Sequence, residues 1–290
     1  MFEGVLTALV TPFKQGEIDE PALRLLIEEQ IGAGIDGLVP CGSTGESAVL
    51  SHEEHRQVVE IVVDAAAGRV PVVAGTGSNN TREAIELTQH AKEAGADGAL
   101  LISPYYNKPT QAGIIEHYEA VAKATAFPLV FYNIPGRTAS NLTPRTQQTL
   151  AGIEYIVGVK EASGDIAQIA EVVRICPSDF SVVSGDDAMT LPLLAVGGKG
   201  VISTSSNIVP EEIVELVSAF RRGDVDRARQ IHFQLIPVFD ALFCETNPIP
   251  VKAALAMLGK ISDEIRLPMT RITKEGADKL RGVLSDLGRL

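Results

Sequence analysis

The chain has 290 residues, a formal net charge of −12 and a sequence pI near 4.9. This acidic balance argues against a nucleic acid or an anionic membrane as partner, because both bind basic protein faces. Cys41, Cys176 and Cys244 lack metal-ligand spacing and are odd in number, as expected for unpaired thiols in a reducing compartment. Residues 1–13 lack the basic segment of a signal peptide, and no apolar run approaches membrane-spanning length, so we expect a cytoplasmic protein.

Eight short apolar runs recur along the chain, each ending in a polar or glycine-rich turn. They cover residues 5–11, 37–41, 70–75, 98–103, 128–132, 156–160, 180–184 and 200–204. Helical patterns, with apolar residues three and four apart, fill the intervals at 20–33, 53–67, 81–94, 111–124 and 166–175. Gly34 and Gly95 follow two of these helices and are typical of left-handed C-caps. The alternation indicates repeated strand–helix units.

Eight such units predict a (β/α)8 TIM barrel, for which about 250 residues are typical. A doubly wound sheet is disfavoured, because the glycine-rich turns at 42–45 and 75–77 do not continue as a nucleotide fingerprint. From about Gly223 the strand signals stop, and three helices are predicted at 226–243, 250–258 and 274–287. We therefore expect a barrel with the active site in residues 1–223 and a C-terminal helical extension, for packing or assembly, in residues 224–290.

Lys160 ends the apolar run at 156–160, where a buried strand would normally carry another apolar residue. Burial disfavours the ammonium form and lowers the pKa, which makes a neutral amine available to attack a carbonyl group. Lys160 is also the lysine predicted to lie in a strand at the catalytic end of the barrel. This pattern indicates a Schiff-base enzyme. From this segment alone, an ion pair with a carboxylate such as Glu161 at the strand end is an equally good interpretation.

Other polar residues follow the predicted strands at the same end of the barrel. The segment Gly42-Ser43-Thr44-Gly45-Glu46 offers hydroxyl groups and backbone N–H groups that suit a carboxylate better than a nucleotide phosphate. The phenol of Tyr132 can pass protons during imine chemistry, and Arg137 can clamp a substrate carboxylate. Taken singly, a core tyrosine with a satisfied hydroxyl and an arginine in a surface ion pair explain these residues equally well.

The segment Ser51-His52-Glu53-Glu54-His55 invites comparison with a zinc motif. It is one residue too short for His-Glu-x-x-His, which needs histidines four apart. Ser51 and Glu54 instead form the pattern of a helix capping box. We therefore expect no metal site here.

At this point the chain resembles the dihydrodipicolinate synthase family, within the pyruvate-dependent Schiff-base lyase superfamily. The similarity covers the whole chain, with matching landmarks at residues 42–46, 104–107, 132–138, 158–162, 184–187 and 247–252. The first and fourth of these are shared across the superfamily. The segment at 132–138 is more specific, because its Arg137 marks the synthases rather than the sugar-acid or sialate aldolases.

The resemblance implies that Lys160 forms an imine with pyruvate, which then adds to L-aspartate 4-semialdehyde without any cofactor. The product would be 4-hydroxy-tetrahydrodipicolinate, the heterocyclic precursor of diaminopimelate and lysine. Ser43 and Thr44 would hold the pyruvate carboxylate. Ser43, Tyr132 and Tyr106 would relay protons, with Tyr106 reaching in from a neighbouring subunit of a homotetramer built from tight dimers. Ser43 departs slightly from the family, which often has threonine there.

By the same resemblance, Arg137 binds the carboxylate of the semialdehyde, while Gly185 and Ile202 line the pocket through their backbones. Three alternatives stand beside this interpretation. They are a pyruvate-forming sugar-acid or sialate aldolase, a metal-dependent barrel hydrolase, and a non-catalytic barrel that binds a carboxylate metabolite. The first is disfavoured by Arg137, and the last would leave Lys160 unreactive towards pyruvate and borohydride.

A further set of residues, polar except for Ala48, matches the lysine feedback site of family members that are inhibited by their pathway's end product. The set comprises Ser47, Ala48, His52, His55, Asn79, Glu83 and Tyr105. The resemblance implies that L-lysine binds there, in a cleft at the tight dimer interface, with partial inhibition. From the residues alone, helix capping and surface histidines explain the same set.

Overall fold

The computed structural model describes residues 2–290, and its strands are short and mostly fully buried. They are β1 (Gly4–Ala8), β2 (Phe13–Lys14), β3 (Glu17–Ile18), β4 (Gly37–Val39), β5 (Val73–Gly75), β6 (Gly98–Ile102), β7 (Leu129–Asn133), β8 (Ile156–Glu161), β9 (Ser181–Ser184) and β10 (Gly200–Ser203). Eight of them pair in parallel in the order β4-β1-β10-β9-β8-β7-β6-β5. A parallel bridge between Leu38 and Val72 joins the two ends of this sheet. The predicted (β/α)8 TIM barrel is therefore confirmed.

Helices connect the barrel strands and continue beyond the last of them. They are α1 (Glu20–Gly32), α2 (His52–Ala66), α3 (Thr81–Glu93), α4 (Gln111–Thr125), α5 (Pro135–Thr138), α6 (Pro144–Ala151), α7 (Ile166–Ile175), α8 (Thr190–Ala195), α9 (Pro210–Arg221), α10 (Val225–Leu242), α11 (Ile249–Met257) and α12 (Lys274–Asp286). None of the helices within residues 2–290 is both long enough and apolar enough to span a bilayer.

The helix ends follow the local sequence signals. Ser51 and Glu54 form the predicted capping box at the start of α2, in which each side chain bonds the other residue's backbone N–H. Gly34 and Gly95, just after α1 and α3, take left-handed conformations with φ of 83° and 91°. These short-range signals explain why helix positions could be read from the sequence.

The hairpin of β2 and β3 was not predicted. Its two-residue strands are too short to show alternation, and its turn depends on Gln15 and Gly16, which both have positive φ. The hairpin lies between β1 and α1, and the C-terminal segment covers it: Ser262 donates to the backbone of Phe13 at 2.8 Å and Glu264 accepts from Gly16 N at 2.6 Å.

The core has two layers that alternate along the strands. The inner layer fills the barrel with side chains, and the outer layer lies between the strands and the helices. The inner layer includes Leu6, Val39, Val73, Val130 and Ile202. A barrel filled in this way is a packed core rather than a channel, so the space for a ligand is at the carboxyl ends of the strands.

Candidate active site

Lys160 is the fifth residue of β8, in register with Tyr132 on β7 and Val183 on β9. Its side chain is buried, with only 7% of the residue exposed, and its amine lies 4.3 Å from the centre of the Tyr132 ring. The residue thus reaches the carboxyl end of the barrel from within a strand, as the sequence predicted.

The ion pair between Lys160 and Glu161 does not form. Successive residues of a strand point to opposite faces, and the buried Glu161 carboxylate faces the outer layer. There it accepts hydrogen bonds from Asn133, Gln147 and the backbone of Ser163, at 2.8 to 3.2 Å. The alternative that the sequence left open for Lys160 is therefore wrong.

Burial lowers the pKa of Lys160 from 10.5 to about 8. The buried carboxylate of Asp187 acts in the opposite direction, and the guanidinium of Arg137 lowers the pKa further. A lysine with this pKa is partly neutral near neutral pH and can attack a carbonyl carbon. Burial also raises the pKa of Tyr132, so its phenol keeps its proton and can donate it.

Gly185, after β9, lies directly against the Lys160 side chain. A Cβ atom at Gly185 would come within 2.8 Å of Lys160 Cε and 3.0 Å of Cγ. The backbone N–H of Gly185 donates to Glu161 O at 2.8 Å, so the glycine cannot easily move away. Any side chain here would push the amine out of position, which explains the glycine.

The segment after β4, residues 42–46, brings hydroxyl groups to the same end of the barrel. Ser43 and Thr44 line a cavity of about 460 Å³ that Lys160, Tyr132 and Gly185 also line. Thr44 Oγ1 accepts a hydrogen bond from Asn247 at 2.9 Å and lies 3.2 Å from Thr204 Oγ1, so the Thr44 hydroxyl can donate to a ligand when Thr204 is the donor in their contact. The arrangement provides donors for an anionic group close to the lysine.

Arg137 lies on α5, which follows β7, and lines the same cavity. The residue is exposed, and Nη2 donates to the backbone carbonyl of Asn247 at 3.2 Å. No acidic side chain of residues 2–290 forms an ion pair with it within 4.0 Å. Arg137 is thus anchored at one nitrogen and keeps further donors for a carboxylate.

Three predicted residues stand apart from the cavity wall. Ile202 is buried inside the barrel in the same apolar layer as Tyr132. Asn79 bonds the backbone of Tyr105 at 3.2 Å, while Tyr105 itself lines the cavity. Tyr106 points away and is 89% exposed, with a left-handed backbone at φ 69°. Within one chain, Tyr106 is therefore not part of the site.

The cavity extends to Ser47, Ala48, His52 and other residues of the predicted lysine site. His52 bonds Glu83 at 2.9 Å, and Ser78 also donates to Glu83, which lowers the pKa of that carboxyl group. The alternative of surface histidines therefore fits His52, which is exposed, but not His55, which is buried.

His55 is 5% exposed and uses Nε2 to bond the carbonyl of Gly75 at 2.8 Å. A carbonyl only accepts, so Nε2 carries the proton and Nδ1 is a bare acceptor. Nδ1 has no hydrogen-bond partner among the residues that the structure describes. Burial lowers the pKa of His55, which favours this neutral form.

The sequence analysis missed several residues that build the site. Asn247 joins the two predicted carboxylate binders, because its side chain bonds Thr44 and its carbonyl accepts from Arg137. Thr204 lies 3.2 Å from Thr44 through their hydroxyl oxygens, and Asp187 holds the turn that carries Thr204. Asn247 stood in a matched segment, but no local signal shows which side chains meet across the barrel.

The candidate site contains no metal centre in the described part of the chain: no group of three His, Cys, Asp or Glu side chains is arranged to hold an ion. The histidines of α2 diverge, with His52 on Glu83 and His55 on Gly75. The chemistry that these residues offer is that of an amine, hydroxyl groups and a guanidinium.

Comparisons with known proteins agree with this geometry. The dihydrodipicolinate synthetase family matches residues 1–287. The 4-hydroxy-tetrahydrodipicolinate synthase of Syntrophus aciditrophicus is 58% identical over 288 residues, which are 99% of either chain. The crystal structure of dihydrodipicolinate synthase from Aquifex aeolicus is 49% identical, with a TM-score of 0.97, over 99% of this chain and 98% of that one.

A further solved structure is dihydrodipicolinate synthase from Cyanidioschyzon merolae with lysine bound. It is 43% identical and superposes with a TM-score of 0.97, over 100% of this chain and 99% of that chain. These alignments cover every element that surrounds Lys160, from β1 to the C-terminal helices. The chain therefore belongs to the dihydrodipicolinate synthetase family.

Proposed function

We propose that this chain condenses pyruvate with L-aspartate 4-semialdehyde to give 4-hydroxy-tetrahydrodipicolinate, for the synthesis of diaminopimelate and lysine. The observation that carries the proposal is Lys160, a buried amine with a pKa of about 8 that opens onto a cavity lined by hydroxyl groups. Relatives that are 58% and 56% identical over 99% of their lengths carry the name of this synthase.

Pyruvate binds with its carboxylate on the hydroxyl and N–H groups of the 42–46 segment. The neutral amine of Lys160 then attacks the ketone carbon, and loss of water from the resulting carbinolamine gives the imine. Both steps move protons between nitrogen and oxygen. Ser43 and Tyr132 line the cavity with Lys160 and relay these protons, and Tyr106 of a neighbouring subunit completes the relay.

The second substrate is held through its own carboxylate by Arg137, whose free donors face the cavity. Loss of a methyl proton turns the imine into an enamine, whose carbon attacks the aldehyde to form the new carbon–carbon bond. The amino group of the former semialdehyde then attacks the imine carbon, closing the ring and releasing Lys160. Arg137 favours this synthase reaction over a sugar-acid or sialate aldolase.

L-Lysine binds in the part of the cavity next to α2 and partially inhibits the enzyme. Glu83 supplies a carboxylate for an amino group, and His52 and His55 line the same part of the cavity. The relative from Cyanidioschyzon merolae was solved with lysine bound. Titration calorimetry should detect lysine on the native protein and weaker binding on Glu83→Ala, whereas undiminished binding to that variant would place the ligand elsewhere.

The enzyme acts in the cytoplasm as a homotetramer built from tight dimers, and residues 224–290 form its C-terminal helical domain. The exposed Tyr106, which needs a neighbouring subunit to reach a site, supports the proposed assembly.

Reductive trapping tests the proposed reaction directly. Pyruvate plus borohydride should add one reduced pyruvate to the chain, and peptide mass spectrometry should find it on Lys160. Lys160→Arg keeps the positive charge but cannot form an imine, so it should show neither label nor turnover. A label on Lys252 or Lys108 instead, or no label on the native protein, would contradict the proposal.

A further inference from the structure

A second buried lysine lies beside the site without lining the cavity. Lys252 on α11 forms an ion pair with Glu46, and each side chain is only 2% exposed. The Lys252 amine also donates to Thr11 O at 3.0 Å and lies 4.3 Å from the centre of the Phe13 ring. The Lys252 ammonium is thus engaged by a carboxylate, a backbone carbonyl and an aromatic ring, and it does not line the cavity.

Stabilisation of the fold does not explain why this ion pair is buried. Taking two charges out of water costs about as much as their attraction returns, so enclosed ion pairs are poor stabilisers of a fold. Burial lowers the pKa of Lys252, and the nearby charge of Glu46 opposes this shift. The position of the ion pair therefore explains its presence better than any contribution to the free energy of unfolding.

Glu46 ends the 42–46 segment in an unfavourable backbone conformation. Its φ is 56°, and Cys41 at the other end of the segment has a φ of 55°. Residues other than glycine keep such conformations only where their surroundings hold them. The Glu46 carboxylate is held by Lys252 and by the backbone N–H of Arg266 at 3.1 Å.

The same segment is held at its hydroxyl-bearing residues. Glu46 N donates to Ser43 O at 3.2 Å, which ties the position of Ser43 to that of Glu46. Thr11 Oγ1 donates to Gly45 O at 2.7 Å, and Asn247 donates to Thr44 Oγ1 at 2.9 Å. Asn247 and Lys252 belong to one C-terminal stretch, so this stretch contacts the 42–46 segment at two residues, Thr44 and Glu46.

We infer that the Glu46–Lys252 ion pair is a positioning device that holds the donors of Ser43 and Thr44 at the correct place to bind the pyruvate carboxylate. The inference rests on the proposed function and assigns a positioning role in it to Lys252, which does not line the cavity, and to Glu46, which lines it while its carboxylate bonds Lys252 and the backbone N–H of Arg266. It also explains why a helix beyond the barrel carries a buried lysine: α11 lies outside the segment that it holds.

Pyruvate saturation in the borohydride reaction tests this role on the full chain. The variants are Lys252→Met, which removes the donor, and the double variant Glu46→Gln with Lys252→Met, which removes both charges. The double variant leaves no unpaired buried charge, so it folds even where the single variant does not. Lys260→Met is the matched control, because Lys260 pairs with Glu29 at a more exposed site, with side chains 33% and 47% exposed.

The pyruvate concentration for half-maximal trapping should rise about tenfold in both Lys252 variants, the effect of one misplaced charge-assisted hydrogen bond. It should change less than about twofold in Lys260→Met, and the half-saturating semialdehyde concentration should change less than about threefold in every variant. A folded double variant with native pyruvate saturation would overturn the inference while leaving the proposed function intact. A native protein that pyruvate does not label would remove the proposed function itself.

Discussion

The burial of Lys160 lowers the free energy of unfolding of the protein. Its pKa falls from 10.5 to about 8 because burial disfavours the ammonium form. Between these two pH values the unfolded chain binds more protons than the folded one, so the free energy of unfolding rises with pH. The full penalty, about 3 kcal/mol, applies below pH 8 and disappears above about pH 10.5. The loss of stability has the same cause as the low pKa that makes the amine reactive, which is burial.

Replacing Lys160 by methionine should therefore stabilise the protein. Methionine has a similar length and no charge, so we expect the free energy of unfolding at pH 7 to rise by about 1 to 3 kcal/mol. The gain over the native protein should shrink as the pH rises from 8 to 10.5. Urea denaturation at several pH values measures both effects. The exposed Lys274→Met is the control, and a Lys160→Met variant no more stable than this control would contradict the reasoning.

In the proposed reaction, Arg137 acts on a different substrate from Lys160. Removing its side chain in Arg137→Ala should lower kcat/KM for the semialdehyde about 100-fold, the effect of losing a charge-assisted carboxylate clamp. Pyruvate trapping on Lys160 should saturate within about threefold of the native concentration. Steady-state kinetics and borohydride labelling separate these outcomes, with the exposed Arg145→Ala as control. Equal damage to pyruvate trapping would show that Arg137 serves the first substrate as well.

At the scale of the elements, the ends of β7 and β8 are joined by a buried carboxylate. Glu161 is 1% exposed and accepts from Asn133, Gln147 and Ser163 N, all of which are neutral donors. Asn133 in turn accepts from Leu142 N at 3.0 Å, so the connection that carries Arg137 is tied to the same group. The carboxylate thus fixes the strands that present Tyr132 and Lys160.

Glu161→Ala should be strongly destabilising. It leaves buried donors of Asn133, Gln147 and Ser163 without an acceptor, and we expect the free energy of unfolding to fall by about 3 kcal/mol or more. Glu154→Ala, just before β8 and exposed, should change it by less than about 0.5 kcal/mol. Thermal and urea unfolding compare the two. Similar small losses of unfolding free energy in both variants would show that the Glu161 carboxylate does not stabilise the fold.

Local signals explain which elements were predicted and which were not. The capping box of Ser51 and the buried strand that carries Lys160 are encoded within a few residues, so both were predicted correctly. The hairpin of β2 and β3 has too few residues to show a period. Asn247 contacts Thr44 across 203 residues, and only the closed barrel brings them together. Contacts of this kind decide the geometry of the site but have no sequence period.

At the scale of the molecule, both ends of the chain meet around the site. Arg266 stacks on Phe13, with its guanidinium carbon 4.1 Å from the ring centre, and bonds Gly16 O at 2.7 Å. From the sequence, the helices of residues 224–290 were expected to serve packing or assembly, and the contacts of Asn247 and Lys252 with the 42–46 segment were not expected. In the proposed reaction, the barrel supplies the reacting groups and the C-terminal segment positions some of them.

One expected contributor to the site is out of reach within a single chain. Tyr106 is 89% exposed and is not on the cavity wall that Tyr105 lines. A large aromatic side chain exposed beside a cleft is typical of an interface. We predict that in a tight dimer Tyr106 of each subunit enters the site of the other, so that each site depends on two chains.

A mixing experiment tests whether Tyr106 acts across the subunit boundary. Lys160→Met has no nucleophile, and Tyr106→Phe lacks the relay hydroxyl, so each pure variant should have little activity. After dissociation and reassociation of an equal mixture, half of the dimers contain one chain of each variant. Such a hybrid dimer has one site with both Lys160 and the Tyr106 phenol only if Tyr106 comes from the other chain. We therefore expect about a quarter of native activity, since a two-fold dimer carries two equivalent sites. If Tyr106 serves its own chain, every hybrid has one site without Lys160 and one without the phenol, and the mixture stays as inactive as its parents.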